Sequence, residues 1–184
     1  MENVFSEYHI FQLLEHLHHT AEGLDKLPAW FLRLAAPKYA IILAHLINQS
    51  IQASHVPHQW KTAIIHSTAK VPIPAALADY RPLSILPVLS RLVERELVRK
   101  FLYPTFITLP AFPELVDQFA FRPTGSTTAA LITMLSHVTD MLRHNAYVTV
   151  VSMDFSKAFD TVRHATLADK LAKLWLPDNI YNWI

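Results

Sequence analysis

The run Tyr147-Val148-Thr149-Val150-Val151-Ser152-Met153-Asp154 limits the fold more than any other part of the chain. Its centre is β-branched and apolar on both faces, so it predicts a buried strand covered on both sides and closed by a carboxylate. Such a strand cannot stand alone at a surface and needs cover on both faces. Hydrophobic residues make up 52% of the 184 positions and charged residues 17%, against about 45–50% and about 25% in ordinary soluble domains. That excess of apolar surface predicts one domain, or a piece of a larger one, whose covering strands lie partly outside the chain.

Helical periodicity dominates the N-terminal third. Ser6 caps a predicted helix with Ile10, Leu13, Leu14 and Leu17 on one face, and Gly23 stops it. A short helix is expected between Pro28 and Pro37, then another over 39–53 carrying Leu43, Leu46, Ile47 and Ile51. Residues 62–66 read as a strand, and Pro72, Pro74 and Pro82 make the following stretch hairpin-like. Further helices are predicted over 86–101, from Ser126 or Thr127 to about 145, over 165–175, and from Pro177 onward. In the first of these Leu89, Leu92, Val93, Leu97 and Phe101 face a core, while Arg91, Glu94, Arg95 and Arg99 face outward.

Absences narrow the chemistry. Without cysteine there is no thiolate nucleophile and no Cys-type zinc site. Eleven histidines show no His-Glu-x-x-His or similar ligand spacing, so no histidine metal site is expected. A formal charge of +1 does not by itself argue for a polyanion partner, although a local basic patch would escape that count. The uncharged stretch between Lys38 and Lys61 is interrupted by polar residues, and the N-terminus has no basic n-region. No membrane span, no secretory signal, no membrane partner and an intracellular location are therefore expected. Trp30, Trp60, Trp175 and Trp183 fall at apolar positions and read as core anchors.

Asp154 at the end of its strand, followed by Phe155-Ser156-Lys157-Ala158-Phe159-Asp160, suits either a hard cation such as Mg²⁺ or the simple capping of a turn. Taken whole, 154–162 resembles the first carboxylate motif of reverse transcriptases, in the form found in non-LTR (LINE-type) retrotransposons. Trp60-Lys61 with Lys70, then 79–85 (Asp-Tyr-Arg-Pro-Leu-Ser-Ile), then 118–123 (Gln-Phe-Ala-Phe-Arg-Pro) with Ser126-Thr127-Thr128, are similar in order and spacing to the fingers motifs of that family. The resemblance runs from about Gly23-Leu24-Asp25 to Ile184. It departs at 66–69, which lack a proline, and at Ala120, where many members have glycine.

The resemblance implies an α+β, partial right-hand polymerase fold, mostly helical, with a fingers hairpin and one central palm strand. Residues 1–59 would form an N-terminal helical extension, 60–125 the fingers, and 126–184 the start of the palm. It implies RNA-directed DNA synthesis: Mg²⁺-dependent transfer of deoxynucleotides from their triphosphates to a DNA primer on an RNA template. Asp154 would bind the metal with the Phe155 carbonyl, and Phe159 would lie under the incoming sugar. Lys70 and Arg81 would meet the triphosphate, unless they are ordinary surface cations. Arg122, Ser126 and Thr127 would contact template or primer, unless the hydroxyls only cap a helix. Lys61 is a weaker phosphate candidate, and Asp160 reads as structural. No Asp-Asp pair occurs, so the family's second acidic hairpin, the rest of the palm and the thumb are expected to be missing, and the chain alone to be inactive. The competing expectation is a non-catalytic nucleic-acid-binding or partner-binding remnant of a decayed element.

Overall fold

The structure, a computed structural model, describes residues 3–108, 117–121, 125–155, 158 and 160–184. It divides into two compact units, Met1–Ile107 with Leu171–Ile184, and Thr108–Lys170.

The first unit holds the core. Helix α1 (Glu7–Glu15) starts where expected, with the Ser6 hydroxyl accepting the His9 amide, and it buries Ile10 and Leu14. Helix α2 (Ala29–Gln52) corrects the expected pair of helices, since it runs unbroken through Pro37. Proline forfeits a backbone hydrogen bond there, at about 3 kcal/mol or more in a helix interior. The buried stripe Leu32, Ala36, Ala40, Ala44 and Ile47 continues across it, so packing against α1 holds both halves on one axis. By length and composition alone α2 is also long and apolar enough to cross a membrane.

Asn48, inside α2 and buried, accepts the Phe5 amide at 2.9 Å and donates to the carbonyls of Phe5 and Ala44 at 2.7 and 2.8 Å. It ties the segment before α1 to a helix 43 residues away. After a 3₁₀ turn, β1 (Ile64–Ala69) pairs antiparallel with β2 (Tyr80–Ile85), from Ile64 opposite Ile85 to Ala69 opposite Tyr80. The proline-free stretch 66–69 thus joins the ladder without a register break.

Helix α3 (Val88–Leu97) buries Val88, Leu92, Val93 and Leu97 in the same core, as its periodicity predicts. Its charged face needs one correction. Arg91 turns back to donate to Thr20 Oγ1 at 2.8 Å and to the Ala21 carbonyl. The 17–28 connection is thereby fastened over the start of α3, and a Cβ at Gly23 would come within 2.5 Å of the Pro87 Cα, closer than atoms pack. The helix continues as a π-helical turn over Val98–Leu102 and then as α4 (Tyr103–Thr108).

The second unit contains α5 (Thr127–Leu142) and most of α6 (His164–Ala172). The short α7 (Asp178–Trp183) returns to the first unit, where Ile180 and Trp183 enter its core and the Trp183 indole N–H donates to Ser50 Oγ at 3.0 Å. Of the other tryptophans Trp60 packs partly against that core, whereas Trp30 and Trp175 are exposed and are not anchors.

The largest correction falls on 147–154. The segment forms no strand and is not buried: Val151 and Met153 are 75% and 87% exposed. Among the described residues the sheet is the β1–β2 pair alone. β-branched residues favour extended backbone, but a strand exists only when a neighbour accepts and donates its ladder bonds. Among the described residues no such neighbour pairs with it.

Candidate functional site

The hairpin brings two of the expected cations together. Lys70 lies one residue past β1 and its amide donates to the Asp79 carbonyl at 2.7 Å, extending the ladder by one step. Arg81 stands opposite Thr68. With the side-chain period of two, Thr68, Lys70, Asp79 and Arg81 share one face near the tip. Lys70 Nζ donates to the Ala78 carbonyl at 2.7 Å, and both strands are exposed almost throughout. The ten-residue connection is shaped by Asp79, whose Oδ2 accepts the Ala75 and Ala76 amides, each at 2.9 Å. These bonds, with a smaller contribution from the nearby Lys70 charge, hold the Asp79 carboxyl below the usual carboxylate range.

A folded-state pKa depressed in this way gives a stability that is complete above the unfolded value of about 3.9 and is lost as pH falls through the lower folded value. The melting temperatures of the wild type and Asp79→Ala should therefore differ by a constant amount above about pH 5 and converge below about pH 4. A difference that stays constant down to pH 2.5 would show that the carboxylate charge contributes nothing.

In the second unit the Ser126 hydroxyl accepts the Ala129 amide at 3.1 Å, which is the capping reading, and Thr127 opens α5. Gly125 precedes the cap because a Cβ there would overlap the Phe119 carbonyl. Among the described residues of this loop the left-handed one is Phe121, with φ 60°, so Ala120 needs no glycine-like freedom. Residues 148–151 and α5 line a groove of about 430 Å³, with Thr133, Met134, His137 and Met141 on its helical side.

At the end of 147–154 Asp154 is exposed, and its Oδ1 accepts the Phe155 amide at 2.9 Å. Phe155 is exposed as well. Arg122 and Phe159 lie outside the described residues. Among the described residues no three His, Asp or Glu side chains converge as a metal site. Asp154 is the right donor type for a hard divalent ion, but one carboxylate cannot hold the two ions that in-line nucleotidyl transfer uses.

Sequence reasoning missed Glu96, which it left off both faces of α3. This carboxylate is buried and lies 3.1 Å from Arg99, 3.5 Å from Arg95 and 3.4 Å from His9. The spacing Arg91, Arg95, Arg99 was the available signal: four-residue steps imply a shared helical face that a neighbouring acid can serve.

Comparison with known proteins gives these positions a setting. Residues 68–184 match the family model described as reverse transcriptase (RNA-dependent DNA polymerase). The chain is 30% identical over 160 residues to the RNA-directed DNA polymerase from mobile element jockey of Drosophila melanogaster, covering 85% of this chain and 17% of that protein. It is 30% identical over 154 residues to the probable RNA-directed DNA polymerase from transposon BS of the same species, covering 83% and 17%. It is 27% identical over 169 residues to the retrovirus-related Pol polyprotein from type-1 retrotransposable element R2 of Popillia japonica, covering 90% and 22%. The chain thus spans about a fifth or less of the length of these relatives. With its matched region running from the hairpin through the Asp154 segment to Ile184, the chain belongs to the reverse transcriptase family, in the form carried by non-LTR mobile elements.

Proposed function

We propose that this chain supplies the fingers and the first acidic segment of a retrotransposon polymerase, which transfers deoxynucleotides from their triphosphates to a DNA primer on an RNA template. The observation that carries this reading is the position of Asp154, exposed at the end of a β-branched segment inside the family-matched region. Asp154, with the Phe155 carbonyl, would offer hard oxygen ligands to Mg²⁺, and the other carboxylates would come from the part of the longer polypeptide that this chain does not contain. Bound there, the ion would supply charge stabilisation at the phosphoryl oxygens. Phe159 would lie under the sugar.

Lys70 and Arg81, on one hairpin face, would neutralise the triphosphate, one as a point charge and the other as a planar fork. Arg122, Ser126 and Thr127 would position template or primer, with the Ser126 hydroxyl already engaged as a cap. In this reading residues 1–59, 60–125 and 126–184 correspond to extension, fingers and the start of a right-hand palm, and 147–154 gains its ladder partners from strands outside this chain.

The test is a chimera in which residues 1–184 replace the matched segment of the jockey enzyme. A folded chimera should extend a primer on RNA with Mg²⁺, and Asp154→Ala should slow it on the order of 10³-fold, as when a key electrostatic stabiliser is removed. The 184-residue chain alone should incorporate no nucleotide. A cooperatively melting chimera without extension, or one indifferent to Asp154→Ala, overturns the reading.

A further inference from the structure

We propose that Asp79 is a positioning residue for the triphosphate: by fixing the backbone of the hairpin connection it sets the place from which Lys70 meets the phosphates. The inference rests on the polymerase reading above, in which Lys70 and Arg81 are the triphosphate cations. Asp79 is the one acid between Lys70 and Arg81, and it shares a hairpin face with both. A carboxylate at that place repels a phosphate, so its presence calls for a different reason.

The reason lies in the residues that precede it. Positions 71–78 read Val-Pro-Ile-Pro-Ala-Ala-Leu-Ala, without a polar side chain or a glycine. Such a connection has no side chain of its own to fasten its backbone, and Pro72 and Pro74 bring no N–H. Asp79 supplies the fastening: Oδ2 accepts the Ala75 and Ala76 amides, each at 2.9 Å, and the Asp79 amide donates to the Ala76 carbonyl at 3.0 Å. Burial contributes little, since Ile73 and Leu77 are 86% and 93% exposed.

The fastened backbone in turn holds the lysine. The Ala78 carbonyl, one residue before Asp79, accepts from Lys70 Nζ at 2.7 Å, and the Asp79 carbonyl accepts the Lys70 amide at 2.7 Å. An ammonium has three donors, so two remain for phosphate oxygens. Lysine carries its charge on a flexible four-carbon stem, and fixing that stem before the ligand arrives removes part of the ordering cost of binding. Asp79 thus acts through Lys70 and need not touch a phosphate itself.

The test titrates the 184-residue chain with inorganic triphosphate, followed by the NMR shifts of the hairpin amides. Asp79→Ala should weaken binding about 10-fold, the scale of one misplaced charge-assisted hydrogen bond. Asp79→Asn, whose side-chain oxygen still accepts the two amides but carries no charge, should bind at least as tightly as the wild type. Added to Lys70→Ala, Asp79→Ala should cost nothing further, because both changes remove one interaction. In the jockey chimera the same loss should appear in KM for the deoxynucleotide with kcat unchanged, as for a contact made equally in the ground and transition states. Undiminished binding in Asp79→Ala overturns the inference. So do losses that multiply with Lys70→Ala, equal damage from Asp79→Asn, or a wild-type chain that does not respond to triphosphate. The titration involves no nucleotide transfer, so its failure is distinguishable from failure of the chimera to extend a primer.

Discussion

Asn48→Ala should destabilise the helical unit by about 2–4 kcal/mol, because it leaves the Phe5 N–H and C=O buried without their partner, at about 1–3 kcal/mol for each such group. The helix propensity of alanine works in the opposite direction but amounts to less than about 1 kcal/mol. Phe5 would lose its anchor, and with it the platform on which Lys100 rests and the His9 ring stacks at 5.5 Å. Urea unfolding followed by circular dichroism measures the loss, and hydrogen exchange should show the α1 amides opening before those of α2. Asn48→Asp tests the geometry. It keeps an acceptor for the Phe5 amide but sets a carboxylate against two carbonyls, and it should be at least as damaging as alanine. A loss below about 0.5 kcal/mol, the range of ordinary surface substitutions, would mean that the segment before α1 is held by its apolar contacts alone.

That residue marks the boundary of what the sequence reveals. Ser6 and Ser126 were legible because capping chemistry is local, acting within three or four residues, and the start of α7 because Pro177 presets the backbone where a helix opens. The buried face of α3 was legible from its period, and Lys70 and Arg81 fell on one hairpin as the motif order implied. Asn48 was not legible: in sequence it is a polar residue interrupting an apolar helix, and its purpose depends on Phe5, 43 positions away. Pro37 misled for a similar reason, since the local cost of proline says nothing of the stripe that packs on either side of it. Glu96 was missed because periodicity sorts residues by polarity and does not see that two arginines neutralise a carboxylate turned inward. For Asp154 the strand expected to present it depends on pairing partners that no local pattern encodes.

That same dependence leads to the expectation that the isolated chain self-associates. Helix α5 buries none of its residues, although Leu131, Ile132, Leu135 and Leu142 are all on it. In the same unit Val150, Val151, Met153 and Phe155 are all exposed, on backbone that no strand among the described residues pairs. Each such side chain gains roughly 1.5–3 kcal/mol on full burial. An apolar, β-branched segment without ladder partners among the described residues also offers its backbone bonds to any copy that meets it. A few such contacts rival the total stability of an ordinary domain, about 5–15 kcal/mol. Sedimentation at concentrations on the order of 10 μM should therefore show species larger than a monomer, as exposed apolar surface and open strand edges drive association in this range. Val150→Lys with Met153→Lys, charges set on the exposed run, should restore the monomer while leaving the α1–α2 core and its melting transition unchanged. The jockey chimera should be monomeric without those lysines, because there the same segment would have strands to pair with. A wild-type chain that sediments as a monomer and melts cooperatively would show that α5 and 147–155 need no further cover, and that their apolar residues are stably accommodated at the surface.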